Sequence, residues 1–194
     1  METTSKTLDW LLLCMAKHTQ VQKKVQAEID EKIGTTRRPQ LSDKDNTPYV
    51  DAVVQELLRF STIGPFGLFH RATEDTQLRG YNIKKDTIII ANLYAVHFDQ
   101  DVWGDPENFR PERFFIDGTG TTDRNPMKTI LPFSSGKRSC IGENFARDQI
   151  YLYCTSILQQ FNIICDEDFA IETTVGFLRA PKDFTLTFEK RFTE

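Results

Sequence analysis

The sequence is short of cysteines and contains no long apolar run. Its four cysteines, Cys14, Cys140, Cys154 and Cys165, lie far apart and form no CxxC pair. This spacing argues against a disulfide scaffold and against a zinc ribbon, and it suits a reducing compartment. The longest apolar run, Trp10–Ala16, covers seven residues, which is far too few to span a bilayer. We therefore expect no membrane anchor within this chain.

Basic charge is not in excess either. The 194 residues include 28 acidic and 24 basic side chains, which leaves a formal net charge of −4. A chain with this balance has no overall positive field for holding a phosphate backbone, so we expect no nucleic-acid partner. Apolar residues make up 39% and charged residues 27%, proportions that exclude both a disordered tail and a membrane bundle.

Helical periodicity is the clearest pattern that the sequence does contain. Apolar residues at helical spacing predict helices over about residues 3–17, 20–33, 48–60 and 141–161. Thr19 and Gln22 fit a capping box for the second helix, and Gly34 is placed to end it. Thr47 followed by Pro48 fits the N-cap and first helical position of the third helix.

Extended segments lie between and after these helices. Short strands or irregular extended chain are predicted at Ser61–Phe69, Thr76–Leu78, Tyr81–Ile83, Thr87–Asn92 and within 162–190, most clearly Phe184–Phe188. Residues 104–136 show almost no period, and a stretch of that length is often functional. The fold class expected from this pattern is mainly α with minor antiparallel β, and the chain looks like part of one domain.

The strongest local signal is the segment Phe133-Ser-Ser-Gly136-Lys-Arg138-Ser-Cys140-Ile-Gly142, directly before the fourth predicted helix. A cysteine at that position meets free backbone N–H groups and the positive end of the helix dipole, which favour the thiolate, and Arg138 adds positive charge. The two glycines allow the positive φ that an anion-cradling loop requires. Cys140 could be a metal ligand, a nucleophile or a buried structural cysteine. A ligand is favoured over a nucleophile because no histidine lies nearby in the sequence.

A second signal is Glu56-Leu-Leu-Arg59 in the third predicted helix. Projection at about 100° per residue places both charged side chains opposite the valine and leucine face. Periodicity alone therefore predicts a solvated i,i+3 ion pair worth only about 0.2–0.5 kcal/mol. A third segment, Pro111-Glu-Arg113-Phe114, is too short to carry meaning by itself.

Taken together and in this order, the three signals resemble the cytochrome P-450 family, the heme-thiolate monooxygenases. Glu56 and Arg59 match the family's ExxR helix, residues 109–114 match its PERF segment, and residues 133–142 fit its FxxGxRxCxG heme loop at every defined position. The stretch that precedes the PERF segment is also matched, by His97, Asp99, Trp103 and Pro106. The resemblance covers essentially the whole chain, and residues 132–147 look most like the microsomal animal branch.

The resemblance implies heme b as the cofactor, with Cys140 as the axial thiolate ligand of the iron. It assigns the other cofactor-binding positions as follows: Phe133 beside the sulfur, Arg138 and His70 on the two propionates, and Gly136 and Gly142 in the loop. For His70 the alternative is an ordinary surface or packing histidine.

The resemblance also assigns Glu56, Arg59 and Arg113 to an internal ion triad that holds the loop carrying the cysteine. In that case the solvated face given by the helical projection is wrong. Glu2 and Thr3 match the acid–alcohol pair that handles protons for bound oxygen. Apolar substrate-facing positions are expected in the extended segment after the third helix and in a late turn, at Ile63, Phe66, Leu68 and Phe177.

Full-length members of the family are more than twice as long as this chain, and the part they have in addition is N-terminal. Residues 1–194 are therefore expected to be the C-terminal part of one cytochrome P-450 domain, with the N-terminal half absent. For the full-length relative, the resemblance implies attachment to the endoplasmic reticulum membrane on its cytosolic face.

The function that the resemblance implies is insertion of one oxygen atom from O₂ into a small lipophilic substrate. Electrons come from NADPH through a flavoprotein reductase, and Lys128, Lys137 and Arg147 form a basic patch on which that acidic partner is expected to dock. Two alternatives stay open. One is a truncated, non-catalytic fragment with weak or no heme binding. The other is a thiol enzyme with Cys140 as nucleophile, which leaves the ion triad unexplained.

Overall fold

The computed structural model describes residues 2–115, 128–166 and 169–192. Its helices are α1 (Glu2–Lys17), α2 (Thr19–Lys32), α3 (Pro48–Ser61), α4 (Leu93–His97), α5 (Gln100–Trp103) and α6 (Glu143–Gln160). Single 3₁₀ segments occur at Leu41–Asn46, Pro111–Phe114 and Gly136–Arg138. The four long helices begin and end within two residues of the bounds that periodicity predicts.

Short strands make up the remainder of the regular structure. They are β1 (His70–Arg71), β2 (Thr76–Leu78), β3 (Tyr81–Ile83), β4 (Ile88–Ile89), β5 (Phe161–Ile164), β6 (Thr173–Val175), β7 (Arg179–Pro181) and β8 (Thr187–Lys190). Within the described residues they form antiparallel pairs, namely β1–β4, β2–β3, β5–β8 and β6–β7. The predicted fold class, mainly α with minor antiparallel β, is confirmed. No helix in the described ranges combines the length and the hydropathy needed to cross a bilayer.

The extended segment predicted at Ser61–Phe69 is wrong. Helix α3 continues to Ser61, and Thr62 then takes a left-handed conformation with φ of 37°. A turn follows, in which the N–H of Gly67 donates to the carbonyl oxygen of Gly64. Because Gly67 has φ of 57°, its lack of a Cβ allows this turn where an extended strand was expected.

Two other strand predictions shift rather than fail. The segment Thr87–Asn92 contributes only Ile88–Ile89 to a strand, and the last strand is Thr187–Lys190 instead of Phe184–Phe188. The register of β8 is set by its pairing with β5, in which Ile163 lies opposite Phe188. Alternation along the sequence cannot reveal that pairing, since it depends on where α6 ends.

The capping box predicted at Thr19 is also wrong. His18 is the N-cap residue of α2, and no side chain caps that end. The amide of Gln22 is instead buried and donates to the carbonyl oxygens of Met15 and Ile163, each at 3.0 Å. Gln22 therefore joins α1 and α2 to strand β5, because the packed chain offers it partners that a local cap cannot match.

The N-terminus of α3 is capped by another helix. Thr47 precedes Pro48 as predicted, but its hydroxyl bonds to the carbonyl oxygen of Asp43 and to Tyr151 rather than to α3. The carboxylate of Glu28 in α2 accepts the N–H groups of Tyr49 and Val50 at 3.0 and 2.9 Å. A carboxylate at a helix N-terminus satisfies free donors and complements the dipole, so this contact fixes α3 against α2.

The main core lies where α1, α2, α3 and α6 pack together. Its fully buried members include Trp10, Val25, Ile29, Val53, Leu57, Tyr151 and Leu158. A second, smaller cluster lies under the Pro111–Phe114 turn and consists of Ala52, Trp103, Phe114 and Ile130. Helix α3 contributes to both clusters, so the helix that carries Glu56 and Arg59 is enclosed on opposite sides.

Candidate functional site

The Glu56–Arg59 pair is completely buried. The guanidinium donates from Nε to Oε2 and from Nη2 to Oε1 of Glu56, both at 2.8 Å, and both side chains are 0% exposed. The solvated ion pair predicted by helical projection is therefore wrong. Arg59 also donates to the carbonyl oxygens of His97 and Pro106, at 2.7 and 2.9 Å. The aperiodic chain after α4 thus covers the face of α3 that looked solvent-exposed.

Arg113 reaches the same carboxylate from the Pro111–Phe114 turn. Its Nε lies 3.1 Å from Oε2 of Glu56, and its side chain is 5% exposed. The backbone N–H of Arg110 also donates to Oε1 of Glu56, at 2.8 Å. The structure therefore brings Glu56, Arg59 and Arg113 into one network, in which one carboxylate accepts from three successive parts of the chain.

Asp105 supplies the second negative charge near this network. Its carboxylate lies 3.2 Å from Nη2 of Arg113 and 2.7 Å from Nη2 of Arg110. The hydrogen bond from Arg110, with the charge of Arg113, holds the pKa of Asp105 well below its usual range. Two carboxylates thus face three guanidinium groups, and backbone carbonyl oxygens also accept from Nη1 and Nη2 of Arg113.

His97 lies directly beside the network and is 0% exposed. Its Nδ1 lies 2.9 Å from the hydroxyl of Thr62, and its Nε2 accepts the backbone N–H of Leu131 at 2.8 Å. Burial, reinforced by the positive charge of Arg59, lowers the pKa of His97 to about 4. The imidazole is therefore neutral near pH 7 and links α3 to the segment that leads to Cys140.

The loop that carries Cys140 is held by backbone bonds. The N–H of Cys140 donates to the carbonyl oxygen of Phe133 at 2.9 Å, and Ser134 and Gly136 both have left-handed φ values, of 63° and 73°. Cys140 is exposed and lies just before α6, whose N-cap is Gly142. The thiol therefore lies at the N-terminal end of α6, which no side chain caps.

Phe133 and Arg147 support this loop from below. The ring of Phe133 packs against the main core, and the guanidinium of Arg147 lies 5.0 Å from its centroid. Arg147 also donates to Glu143 at 2.9 Å and to Gln55 at 3.0 Å. It is thus held internally, and the basic patch predicted from Lys128, Lys137 and Arg147 is reduced to its two exposed lysines.

Arg138 and His70 are both exposed. Within the described ranges, neither side chain makes a hydrogen bond or an ion pair, and the structure does not bring the two into contact. Large apolar side chains are also exposed next to the cysteine, at Ile141 and Phe145. This surface therefore exposes a thiol, a cation and two large apolar side chains close together in the sequence.

The predicted acid–alcohol pair lies in the first turn of α1, where both Glu2 and Thr3 are exposed. Glu2 lines a cleft of about 420 Å³, together with Phe177 and Leu178 of the β6–β7 turn. Of the predicted substrate-facing residues, Phe66, Leu68 and Phe177 are exposed and Ile63 is partly buried against the main core. The structure therefore places Glu2 and Phe177 in the lining of one cleft, and Thr3 is not part of that lining.

Arg179 is a buried cation that sequence reasoning did not single out. It donates to the carbonyl oxygens of Phe60 and Ser61, at the end of α3, at 2.7 Å each. Its guanidinium lies 4.5 Å from the ring centroid of Trp10, and its backbone N–H donates to the carbonyl oxygen of Ile63. Burial lowers its pKa from the ordinary value. Arg179 thus ties the turn that carries Phe177 to the end of α3.

His97 and Asp105 were also missed as site residues, although the family resemblance covers their stretch. One signal could have identified them: both are polar residues among aromatic residues in a stretch without periodicity. Polar side chains that are buried in such a stretch need specific hydrogen-bond partners. Nothing in the sequence marks Arg179, because its partners are backbone carbonyls and rings from distant elements.

Comparison with known proteins gives one family and many relatives. The family described as Cytochrome P450 matches residues 1–188. Cytochrome P450 2J3 of Rattus norvegicus is 45% identical over 160 residues, which are 82% of this chain and 31% of the relative. Cytochrome P450 2D6 of Homo sapiens is 44% identical over 162 residues, covering 84% and 32%. Steroid 17-alpha-hydroxylase/17,20 lyase of Ictalurus punctatus is 39% identical over 163 residues, covering 84% and 32%. The chain spans about a third of the length of these curated relatives.

Replacement of Glu56 by glutamine is expected to destabilise the fold by about 3–5 kcal/mol, because two buried guanidinium groups lose their shared carboxylate. Urea unfolding of the variant and the parent chain measures this loss. The matched control is Asp75→Asn, which breaks the exposed Asp75–Lys84 pair and should change stability by less than about 1 kcal/mol. Equal effects of the two substitutions would contradict a buried network.

Acidification is expected to weaken the fold through His97. Its pKa of about 4 lies below the ordinary value of 6.5, so the unfolded chain binds the proton first. The stabilisation is fully present above about pH 6.5 and is lost as the pH falls toward 4, by about 3 kcal/mol.

The measurement is the urea midpoint of the parent chain and of His97→Gln from neutral pH down to about pH 4. The variant should show the shallower dependence on pH. His70→Gln, which removes an exposed histidine, is the control and should follow the parent. Parallel curves for all three chains would refute the assignment.

Proposed function

The chain belongs to the cytochrome P450 family, and on that premise we propose that it is the heme-binding part of a monooxygenase. The reaction is insertion of one oxygen atom from O₂ into a small lipophilic organic substrate. The observation that carries this proposal is the exposed Cys140 at the start of α6, in a loop joined through His97 to a buried ion network. That arrangement fixes the position of Cys140 as a ligand and leaves its thiol accessible to a cofactor.

The described residues fit heme b. When bound, heme supplies the activation of O₂, and the task of the protein is to hold it and to control its surroundings. Cys140 is the proposed iron ligand through its thiolate. Arg138 and His70, both exposed and without a partner among the described side chains, are the candidates for the propionates. Gly136 and Gly142 leave room for backbone close to the group.

Phe133 has a second task at the ligand. It is partly buried between the main core and Arg147, and its carbonyl oxygen accepts the N–H of Cys140. Its proposed role is to exclude water from the sulfur and thereby to tune the donor strength of the thiolate.

Glu2 and Thr3 are proposed to supply the protons that the reaction requires, and Glu2 lines the same cleft as Phe177. The exposed apolar side chains Phe66, Leu68 and Phe177, with Ile63 behind them, are proposed to contact the substrate. Their lack of polar groups favours a lipophilic compound, since burial of apolar surface is the main source of binding free energy there.

The proposed electron donor is an NADPH-dependent flavoprotein reductase at the cytosolic face of the endoplasmic reticulum. Lys128 and Lys137 are exposed near the cysteine loop of a chain that is acidic overall. Exposed lysines can steer an acidic partner without contributing to the fold. Arg147 is left out of the docking surface because it is bound to Glu143 and Gln55.

A second candidate is a form of the chain that binds heme weakly or not at all. The exposure of Cys140, Arg138 and Ile141 favours it, because a cofactor held on this face alone would meet water on its other flank. Heme that co-purifies with the 194-residue chain would exclude this candidate. A thiol enzyme has no supporting contact, since the thiol of Cys140 has no hydrogen-bond partner in the described ranges.

Replacement of Cys140 by histidine is expected to abolish the red-shifted Soret band of the reduced carbon monoxide complex, because that band requires a thiolate ligand. The measurement is made on heme-loaded protein extended to the length of the relatives. Cys165→Ser, at a partly buried cysteine outside the loop, is the control and should keep the band. A band that survives in Cys140→His would exclude Cys140 as the ligand.

Reversal of charge at Lys128 and Lys137, both to glutamate, is expected to slow reduction by the flavoprotein several-fold at low salt and to flatten its salt dependence. Stopped-flow reduction of the same extended protein measures the rate. The control carries the same change of charge on the exposed β3–β4 turn, at Lys84 and Lys85. Equal rates in the two double variants would show that the lysines beside the loop are only solvated surface.

A further inference from the structure

The backbone is strained at Thr62, where α3 ends beside His97. Thr62 closes α3 with φ of 37° and ψ of 59°, a left-handed conformation that is unfavourable for a β-branched residue. Its hydroxyl bonds to the carbonyl oxygen of Arg59 at 2.5 Å and to Nδ1 of His97 at 2.9 Å. These two bonds hold the hydroxyl in place, and Thr62 is 2% exposed. The contact with His97 is thus one of the interactions that maintain a strained conformation.

The hydrogen bonds around His97 determine its tautomer. The N–H of Leu131 can only donate, so Nε2 of His97 is the acceptor and carries no proton. The proton of the neutral ring therefore lies on Nδ1, which donates to the hydroxyl of Thr62, and that hydroxyl donates to Arg59. The donors and acceptors form one continuous series that runs from Leu131 to the carbonyl oxygen of Arg59.

On its other side, Leu131 leads directly to the ligand. It lies nine positions before Cys140 in the sequence, and its carbonyl oxygen accepts the N–H of Ser134 at 3.1 Å. Within this turn, the carbonyl oxygen of Phe133 accepts the N–H of Cys140. Leu131 is therefore the point at which the chain leaves the buried network and enters the loop that presents the cysteine.

We propose that His97 is a positioning residue for the cysteine ligand: its imidazole fixes Leu131, and through Leu131 the start of the cysteine loop, relative to the buried Glu56–Arg59 pair. Among the described residues, the ion network makes no hydrogen bond or ion pair to the loop, since its donors end on Glu56, Asp105 and the carbonyl oxygens of the chain around them. His97 closes that gap. The consequence for iron ligation rests on the function proposed above, whereas the positioning of Leu131 does not.

Two substitutions of His97 separate its two hydrogen bonds. Glutamine can place an amide oxygen where Nε2 lies and can still accept from Leu131. Asparagine is shorter and can place a donor where Nδ1 lies, toward Thr62, but it cannot reach Leu131. Both variants lose the aromatic ring, so the difference between them reports the bond to Leu131 rather than the lost packing.

The first measurement is amide hydrogen exchange at Leu131, followed by NMR on the whole 194-residue chain. His97→Asn is expected to exchange at least about fivefold faster at Leu131 than His97→Gln, as loss of one partly buried hydrogen bond implies. The amide of Val53 in the core of α3 serves as the reference for global opening. Exchange at Leu131 that changes only in proportion to Val53 would overturn the proposal and leave His97 a packing residue.

A substitution of Thr62, the partner of Nδ1, provides a second test if His97→Asn does not fold. Thr62→Gly accepts the positive φ without strain and removes the hydroxyl that orients Nδ1. Exchange at Leu131 should again accelerate relative to Val53, by a smaller factor than in His97→Asn. An unchanged ratio in Thr62→Gly would show that the ring does not transmit the position of α3 to Leu131.

The second measurement uses heme-loaded protein extended to the length of the relatives. The share of reduced carbon monoxide complex with the red-shifted Soret band is expected to fall several-fold in His97→Asn and to stay near the parent value in His97→Gln. Equal shares in the two variants would overturn the positioning of the ligand. A parent protein that binds no heme would refute the proposed function. The hydrogen exchange at Leu131 would still test the positioning role of His97 independently.

Discussion

The structure depends on a carboxylate with no access to water. Removing the charge of Glu56 from solvent is costly unless every lone pair is used, and the chain meets this requirement from three places: α3 itself, the backbone at Arg110 and the side chain of Arg113. The stretch from α4 to the Pro111–Phe114 turn contains the four-residue helix α5 and otherwise turns. Its carbonyl oxygens accept from Arg59 and Arg113, the two guanidinium groups that bind the carboxylate.

Helix positions could be predicted from the sequence because the 3.6-residue period depends only on which face is buried, and α1, α2, α3 and α6 each bury an apolar face. The same reasoning failed for Glu56 and Arg59, since a projection treats a charged face as solvent-facing and cannot see an aperiodic segment that covers it. The resemblance of short motifs identified the partners, because a motif records which residues meet irrespective of period. The left-handed turn at Thr62 and the pairing of β5 with β8 depend on tertiary contacts, and no local pattern indicated them.

Position decides what the cations of the candidate site can do. Arg147 and Lys137 looked equivalent in the sequence, ten residues apart around the same cysteine. In the structure, Arg147 lies over Phe133 and bonds to two side chains, whereas Lys137 is exposed. The planar, forked donor set of arginine suits the internal role, and the compact, strongly hydrated ammonium of lysine suits the surface. The contacts of the candidate site could be predicted where the spacing of a motif defines them. They could not be predicted for long side chains that can reach several alternative partners.

Arg179 differs from the other buried cations in how its charge is balanced. In the described ranges no carboxylate lies within ion-pair distance of it, and carbonyl oxygens at the end of α3 and the faces of aromatic rings surround it instead. Carbonyl oxygens and aromatic rings are not protonated when the solution is acidified. Salt also has little effect on fixed dipoles and ring quadrupoles inside the protein. Changes of pH or salt that break the surface ion pairs therefore leave the contacts of Arg179 intact. The β6–β7 turn stays attached to α3, and the wall of the cleft beside Phe177 keeps its shape.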